Sequence, residues 1–143
     1  MSMYIIGQTD RFKAAVPMAG ISNLVSFVGT SDIGFWQAFQ AKGYPWDPER
    51  EAYYRERSPL TYATRVTTPT LFLHPENDLR CPIEQSEQFY MTLKMVGKVP
   101  VALVRAPGAW HGGTIKPSQW FAYWETALQW FRKYVEIRPE EYN

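Results

Sequence analysis

The sequence predicts an α/β fold: three mainly parallel strands with flanking helices. Three observations carry this. Short apolar runs at residues 12–19 (FKAAVPMA), 70–74 (TLFLH) and 99–104 (VPVALV) alternate with stretches of helical periodicity. Each run is apolar at most consecutive positions, as expected of strands buried on both faces. The order helix, strand, insertion, strand, helix, strand, helix suits a parallel sheet with right-handed crossovers.

Met3, Tyr4, Ile5 and Ile6 read as the last turns of a helix that Gly7 stops. So short a piece is a poor helix alone, so that helix is expected to begin before residue 1. The first strand follows the Thr9-Asp10-Arg11 turn, and Pro17 should sit near its end. Residues 20–60 form an irregular helical insertion. Phe35, Trp36 and Phe39 share one helical face there. Asp47 is the expected cap of a helix with Pro48 at its first position, and Ser58-Pro59 opens another short turn.

After the strand at 70–74, residues 82–96 form an amphipathic helix striped by Ile83, Phe89, Tyr90, Leu93 and Val96, ended by Gly97. The last strand, 99–104, leads through a Gly-rich loop into a long helix at about 117–135. Trp120, Trp124, Ala127, Leu128, Phe131 and Val135 recur there at helical spacing, which predicts a core-facing stripe. No repeat or linker divides the chain, so residues 1–143 are expected to form a single domain.

Composition narrows the function classes. The chain is 45% hydrophobic and 20% charged, a globular balance. A net charge of +1 with interspersed signs offers no basic patch for nucleic acid. No apolar run reaches the roughly 18 to 20 residues of a membrane span. Cys81 is the single cysteine, so no internal disulfide forms, and a reduced, cytoplasmic setting is expected. No metal or cofactor is expected, since His74 and His111 lack any standard zinc spacing.

In a parallel α/β sheet, functional groups collect in the loops after the strands. Asp78 lies four residues beyond His74, and His111 seven beyond Val104. Adjacent parallel strands would bring both to one edge. A carboxylate there can accept the imidazole Nδ1–H and leave the other nitrogen free as a base. Taken singly, Asp78 reads as a turn or cap residue and His111 as an exposed loop residue. Their order matches the second half of the hydrolase sequence Ser…Asp…His. The G-x-S-x-G elbow that carries the serine is absent; Gly20-Ile21-Ser22-Asn23-Leu24 comes closest but lacks the second glycine.

Five stretches resemble the prolyl-oligopeptidase family of serine peptidases, in its acylaminoacyl-peptidase-like branch. They are IIGQTDRFKAAV (5–16), SNLVSFVGTSDIG (22–34), RSPLTYATRVTTPTLFLH (57–74), ENDLRCPIEQSEQFY (76–90) and VPVALVRAPG (99–108). The resemblance implies a partial α/β-hydrolase fold lacking the N-terminal half of its sheet, with Asp78 as triad acid and His111 as triad base. It implies hydrolysis of peptide or acyl-peptide bonds, and a serine expected just ahead of Met1. The sequence departs from the family at Pro75, where glycine follows histidine, and at Trp110 and Gly112-Gly113, where a small residue and an acidic one flank the histidine.

The expected function is therefore a serine-peptidase C-terminal fragment, inactive alone, taking peptide substrate only when completed by the missing half. The alternative is a non-catalytic assembly module that self-associates or pairs with an N-terminal chain through an open sheet edge; a homo-oligomer is expected. His74 is expected to be a buried, hydrogen-bonded strand-end residue, and Arg80 to form a structural pair by the aspartate loop. Cys81 stands at a helix start, where a thiol pKa can fall, but packing is the simpler role. Trp110 either lines a substrate pocket or covers its loop.

Overall fold

The computed structural model describes residues 1–112 and 116–135; residues 113–115, which include Gly113 of the histidine loop, and residues 136–143 lie outside them. Helix α1 spans Ser2–Ile5, and the insertion holds α2 (Leu24–Thr30), α3 (Gly34–Ala41) and α4 (Glu51–Arg57). Short 3₁₀ turns at Pro48–Arg50 and Pro59–Arg65 flank α4. Then come β1 (Thr70–Pro75), α5 (Glu84–Val96), β2 (Val101–Ala106) and α6 (Pro117–Tyr134).

Strands β1 and β2 pair in parallel, from Thr70 opposite Val101 to Pro75 opposite Ala106. Both therefore run farther toward the site than the apolar runs alone suggest. The expected third strand is reduced to two isolated parallel bridges, Ala15 with Thr70 and Met18 with Leu73. Its hydrogen bonds show why. Ala15 N–H donates to Pro69 O and Leu71 N–H to Ala15 O; farther along, Leu73 N–H donates to Pro17 O and Ala19 N–H to Leu73 O. The donor missing from this ladder is at Pro17, which has no N–H to offer Leu71. Pro17 thus sits inside the segment and divides it.

Side chains of β1 alternate between two cores, as the pleat requires. Phe72 joins Met3, Ile6, Val66, Phe89 and Leu93 on one face. Leu71 and Leu73 join Ala106, Ala109, Tyr123 and Ala127 on the other. Burying each large apolar side chain contributes about 1.5–3 kcal/mol. The face of α6 that meets the sheet is Tyr123, Ala127 and Trp130. The expected Trp120-Trp124-Phe131 stripe is displaced around the helix, and Trp120 and Trp124 stay 43% and 48% exposed. Periodicity found the apolar positions; the sheet covers only one arc of them. Phe35, Trp36 and Phe39 of α3 are likewise exposed.

A buried amide fastens the insertion to α5. Gln85 Oε1 accepts the Ser22 and Asn23 amides at 3.0 and 2.9 Å. Asn23 caps α2 through Oδ1, which accepts from Val25 and Ser26. Asp47 makes no side-chain cap: its carboxylate accepts from the Tyr44 amide at 2.6 Å. Gly34 permits a close approach, since a Cβ there would lie 2.2 Å from Val28 O. Gly97 ends α5 with φ +69°, as the helix stop in the sequence predicts.

Candidate active site

The loops after β1 and β2 are fastened to each other. Glu76 N–H donates to Ala106 O at 3.0 Å and Asn77 N–H to Ala109 O at 2.9 Å. This stitching carries the parallel pairing past the strand ends and brings the two loops side by side.

The Asp78 side chain is fully buried. Oδ1 accepts the Arg80 amide at 3.0 Å and the Cys81 amide at 2.8 Å. His111 Nδ1 lies 2.8 Å from Oδ2 and 3.1 Å from Oδ1. An ionised carboxylate only accepts hydrogen bonds, so Nδ1 carries the proton and Nε2 is left as the basic nitrogen. Nε2 makes no hydrogen bond among the described residues, and the His111 side chain is 45% exposed. A held carboxylate, a fixed tautomer and an accessible ring nitrogen can move a proton to and from a hydroxyl.

His74 is buried beneath this pair, with Nε2 2.7 Å from Cys81 O and Nδ1 2.6 Å from Ser86 Oγ. Burial pushes its pKa down, opposed by the Cys81 carbonyl and Asp78. Cys81 is buried too, and desolvation pushes its thiol up to about 11, reinforced by Asp78. The helix start therefore does not activate it as a thiolate. Arg80 pairs with Asp32 of the insertion, Nε to Oδ1 at 2.8 Å, and this guanidinium holds the Asp32 carboxyl below its ordinary value. Trp110 is exposed beside His111.

An apolar cavity of about 110 Å³ opens between Met18, Ala19, Pro75, Gly112, Trp120 and Tyr123. The Tyr123 hydroxyl is buried without a partner among the described residues. Two larger open grooves, of about 340 and 360 Å³, lie on the insertion around Glu51 and Arg55 and touch neither Asp78 nor His111. Among the described residues, no group of three His, Cys, Asp or Glu could hold a metal ion, and no helix is long and apolar enough to cross a membrane.

That Asp78 and His111 would meet was legible in the sequence. The Arg80 and Cys81 amides were not, because backbone donors leave no mark in residue identity. Ser86 was missed as well: it meets His74 across twelve positions, from a different element, with no motif joining them.

The arrangement, a polar pair beyond the ends of adjacent parallel strands, is that of a hydrolase sheet edge. Residues 1–138 match the prolyl oligopeptidase family, and the chain belongs to that family of serine peptidases. It is 49% identical over 119 residues to the uncharacterized peptidase YuxL of Bacillus subtilis, covering 78% of this chain and 17% of that protein. It is 33% identical over 144 residues to the acylamino-acid-releasing enzyme of Arabidopsis thaliana, covering 96% of this chain and 19% of that protein. Among solved structures, Pyrococcus horikoshii acylaminoacyl peptidase superimposes with a TM-score of 0.83 at 31% identity, covering 95% of this chain and 22% of that one. The fold is thus part of an α/β-hydrolase fold, and the chain spans about a fifth of the length of these relatives.

Proposed function

We propose that this chain supplies the acid and base of a serine-peptidase triad, with Asp78 orienting His111, and that it is inactive without a serine from outside its 143 residues. The observation that carries this reading is the 2.8 Å contact from His111 Nδ1 to a buried Asp78 carboxylate, with the imidazole half exposed. A serine hydroxyl brought to Nε2 would attack the substrate carbonyl as His111 takes its proton. His111 would then pass that proton to the leaving amine, and water would release the acyl group by the same relay. Asp78 would stabilise the imidazolium in both steps. The names of the relatives favour acylated peptides as the substrate class. The single, buried, free Cys81 fits a reducing, cytoplasmic setting.

The test exchanges this chain for the matching stretch of YuxL and measures labelling by a fluorophosphonate probe and turnover of an N-acetylated peptide. The isolated chain should do neither. The chimera should do both, and His111→Ala should cost on the order of 10⁴-fold or more in turnover. Labelling of the isolated chain, or a chimera indifferent to His111, would refute the reading.

A second reading, an assembly surface, has its own observation. Ala14, Val16 and Met18 alternate with the residues that bond β1, so their backbone groups face the open side of the sheet. They make no hydrogen bond among the described residues. Trp120 shares the cavity with Met18 and Ala19, so the exposed aromatic arc of α6 overhangs that same side. Such an edge recruits a further strand, from a second copy or a separate N-terminal chain. Sedimentation should detect self-association that Trp120→Ser with Trp124→Ser reduces; a wild-type chain that stays monomeric at high concentration excludes the second copy.

A further inference from the structure

We infer that His74 is a positioning residue for the Asp78–His111 pair: by clamping the Cys81 carbonyl, it fixes the turn whose amides hold the Asp78 carboxylate. The inference rests on the triad reading above and extends it to a histidine that takes no part in proton transfer.

His74 is the last but one residue of β1 and is 0% exposed. The loop leaves the strand, passes Asp78, and returns so that Cys81 O meets His74 Nε2 at 2.7 Å. A carbonyl can only accept, so Nε2 carries the proton. Nδ1 must then accept, and the Ser86 hydroxyl of α5 donates to it at 2.6 Å. One neutral tautomer thus joins strand, loop and helix. The same Cys81 whose carbonyl is clamped gives its amide to Asp78 Oδ1 at 2.8 Å.

Direct contact is not the route. His74 Nε2 lies 3.9 Å from Asp78 Oδ2, beyond hydrogen-bonding distance. The coupling runs from imidazole to Cys81 backbone to carboxylate to His111. Burial favours the neutral imidazole, as this arrangement requires. Without the clamp, Cys81 O is left buried with no partner and the turn is free to shift. The Asp78 carboxylate would shift with it.

Side-chain reach separates this role from a merely structural one. Asparagine extends as far as Nδ1 and can keep the Ser86 bond, but falls short of Cys81 O. Glutamine extends to the Nε2 position and can keep the Cys81 bond. The readout is the hydrogen-bonded Nδ1–H proton of His111 in the NMR spectrum of the 143-residue chain, with backbone amide protection in β1 and α5 reporting the fold. His74→Asn should speed exchange of that proton by at least about tenfold while the fold persists, and His74→Gln should restore it. A folded His74→Asn chain with wild-type exchange overturns the inference. So does a folded His74→Gln chain that loses the signal, which keeps the test decisive if His74→Asn does not fold. If the wild-type chain itself lacks a carboxylate-bonded Nδ1–H, the Asp78–His111 reading fails first, and the two failures are distinct.

Discussion

Replacing Asp78 separates holding the loop from orienting the base. Asp78→Ala removes the acceptor of the Arg80 and Cys81 amides and of His111 Nδ1–H. The Cys81 amide is buried, and a buried donor left unpaired costs about 1–3 kcal/mol. The more exposed Arg80 amide recovers water and costs less, and the space left by the carboxylate adds a little. The sum is about 2–4 kcal/mol, which moves a urea midpoint by about 1–2 M at an m-value near 2 kcal/mol/M. Asp78→Asn keeps one carbonyl oxygen for both amides, so its cost should stay within about 1 kcal/mol. Its amide nitrogen, however, cannot accept from His111, and the ring is driven to the opposite tautomer with its basic nitrogen turned inward. In the YuxL chimera this should cost about 10⁴-fold in turnover with little loss of stability. Equal midpoints for the alanine and asparagine variants would refute the amide-holding role. Full turnover in Asp78→Asn would refute the orienting one.

Two further predictions follow from the backbone and from the buried imidazole. Pro17→Ala restores an N–H opposite Leu71 O. The amide at position 17 should become as protected from hydrogen exchange as that of Ala15, while stability changes by no more than about 1 kcal/mol because the added bond offsets the freer unfolded chain. For His74, the unfolded chain titrates near 6.5 and burial lowers the folded value. Unfolded molecules then bind more protons, so the stabilisation is complete above about pH 6.5 and lost as pH falls toward the folded value. The unfolding free energy from urea titrations should drop on acidification by up to about 1.4 kcal/mol per pH unit, less so in His74→Gln; identical pH dependence in both chains refutes the assignment.

What was legible in the sequence follows from what residue identity encodes. The element order and the Asp78–His111 pairing were readable because strand-length apolar runs imply neighbours, and neighbouring parallel strands imply a shared edge. Pro17 was visible as a residue expected near the strand end, yet its effect depended on which way its nitrogen faced, and that is set by the register against β1. The α6 stripe was misjudged for a related reason. Tyr123, Ala127 and Trp130 face the sheet while Trp120 and Trp124 do not, and no count of apolar positions says which arc will be covered. The clamp at His74 was invisible because its partners are a carbonyl and a distant hydroxyl.

The stitched β1 and β2 loops carry a consequence for how the protein acquires its chemistry. Asp78 and His111 meet across 33 positions, which hold only α5 and β2, the helix and second strand of the β1–α5–β2 crossover. The entropic cost of closing such a loop grows only with the logarithm of its length, and local closures form early. On the triad reading proposed above, the acid–base half of the site can therefore assemble within one short folding unit, ahead of any encounter with a nucleophile. A hydroxyl arriving later would meet a base whose orientation has already been chosen.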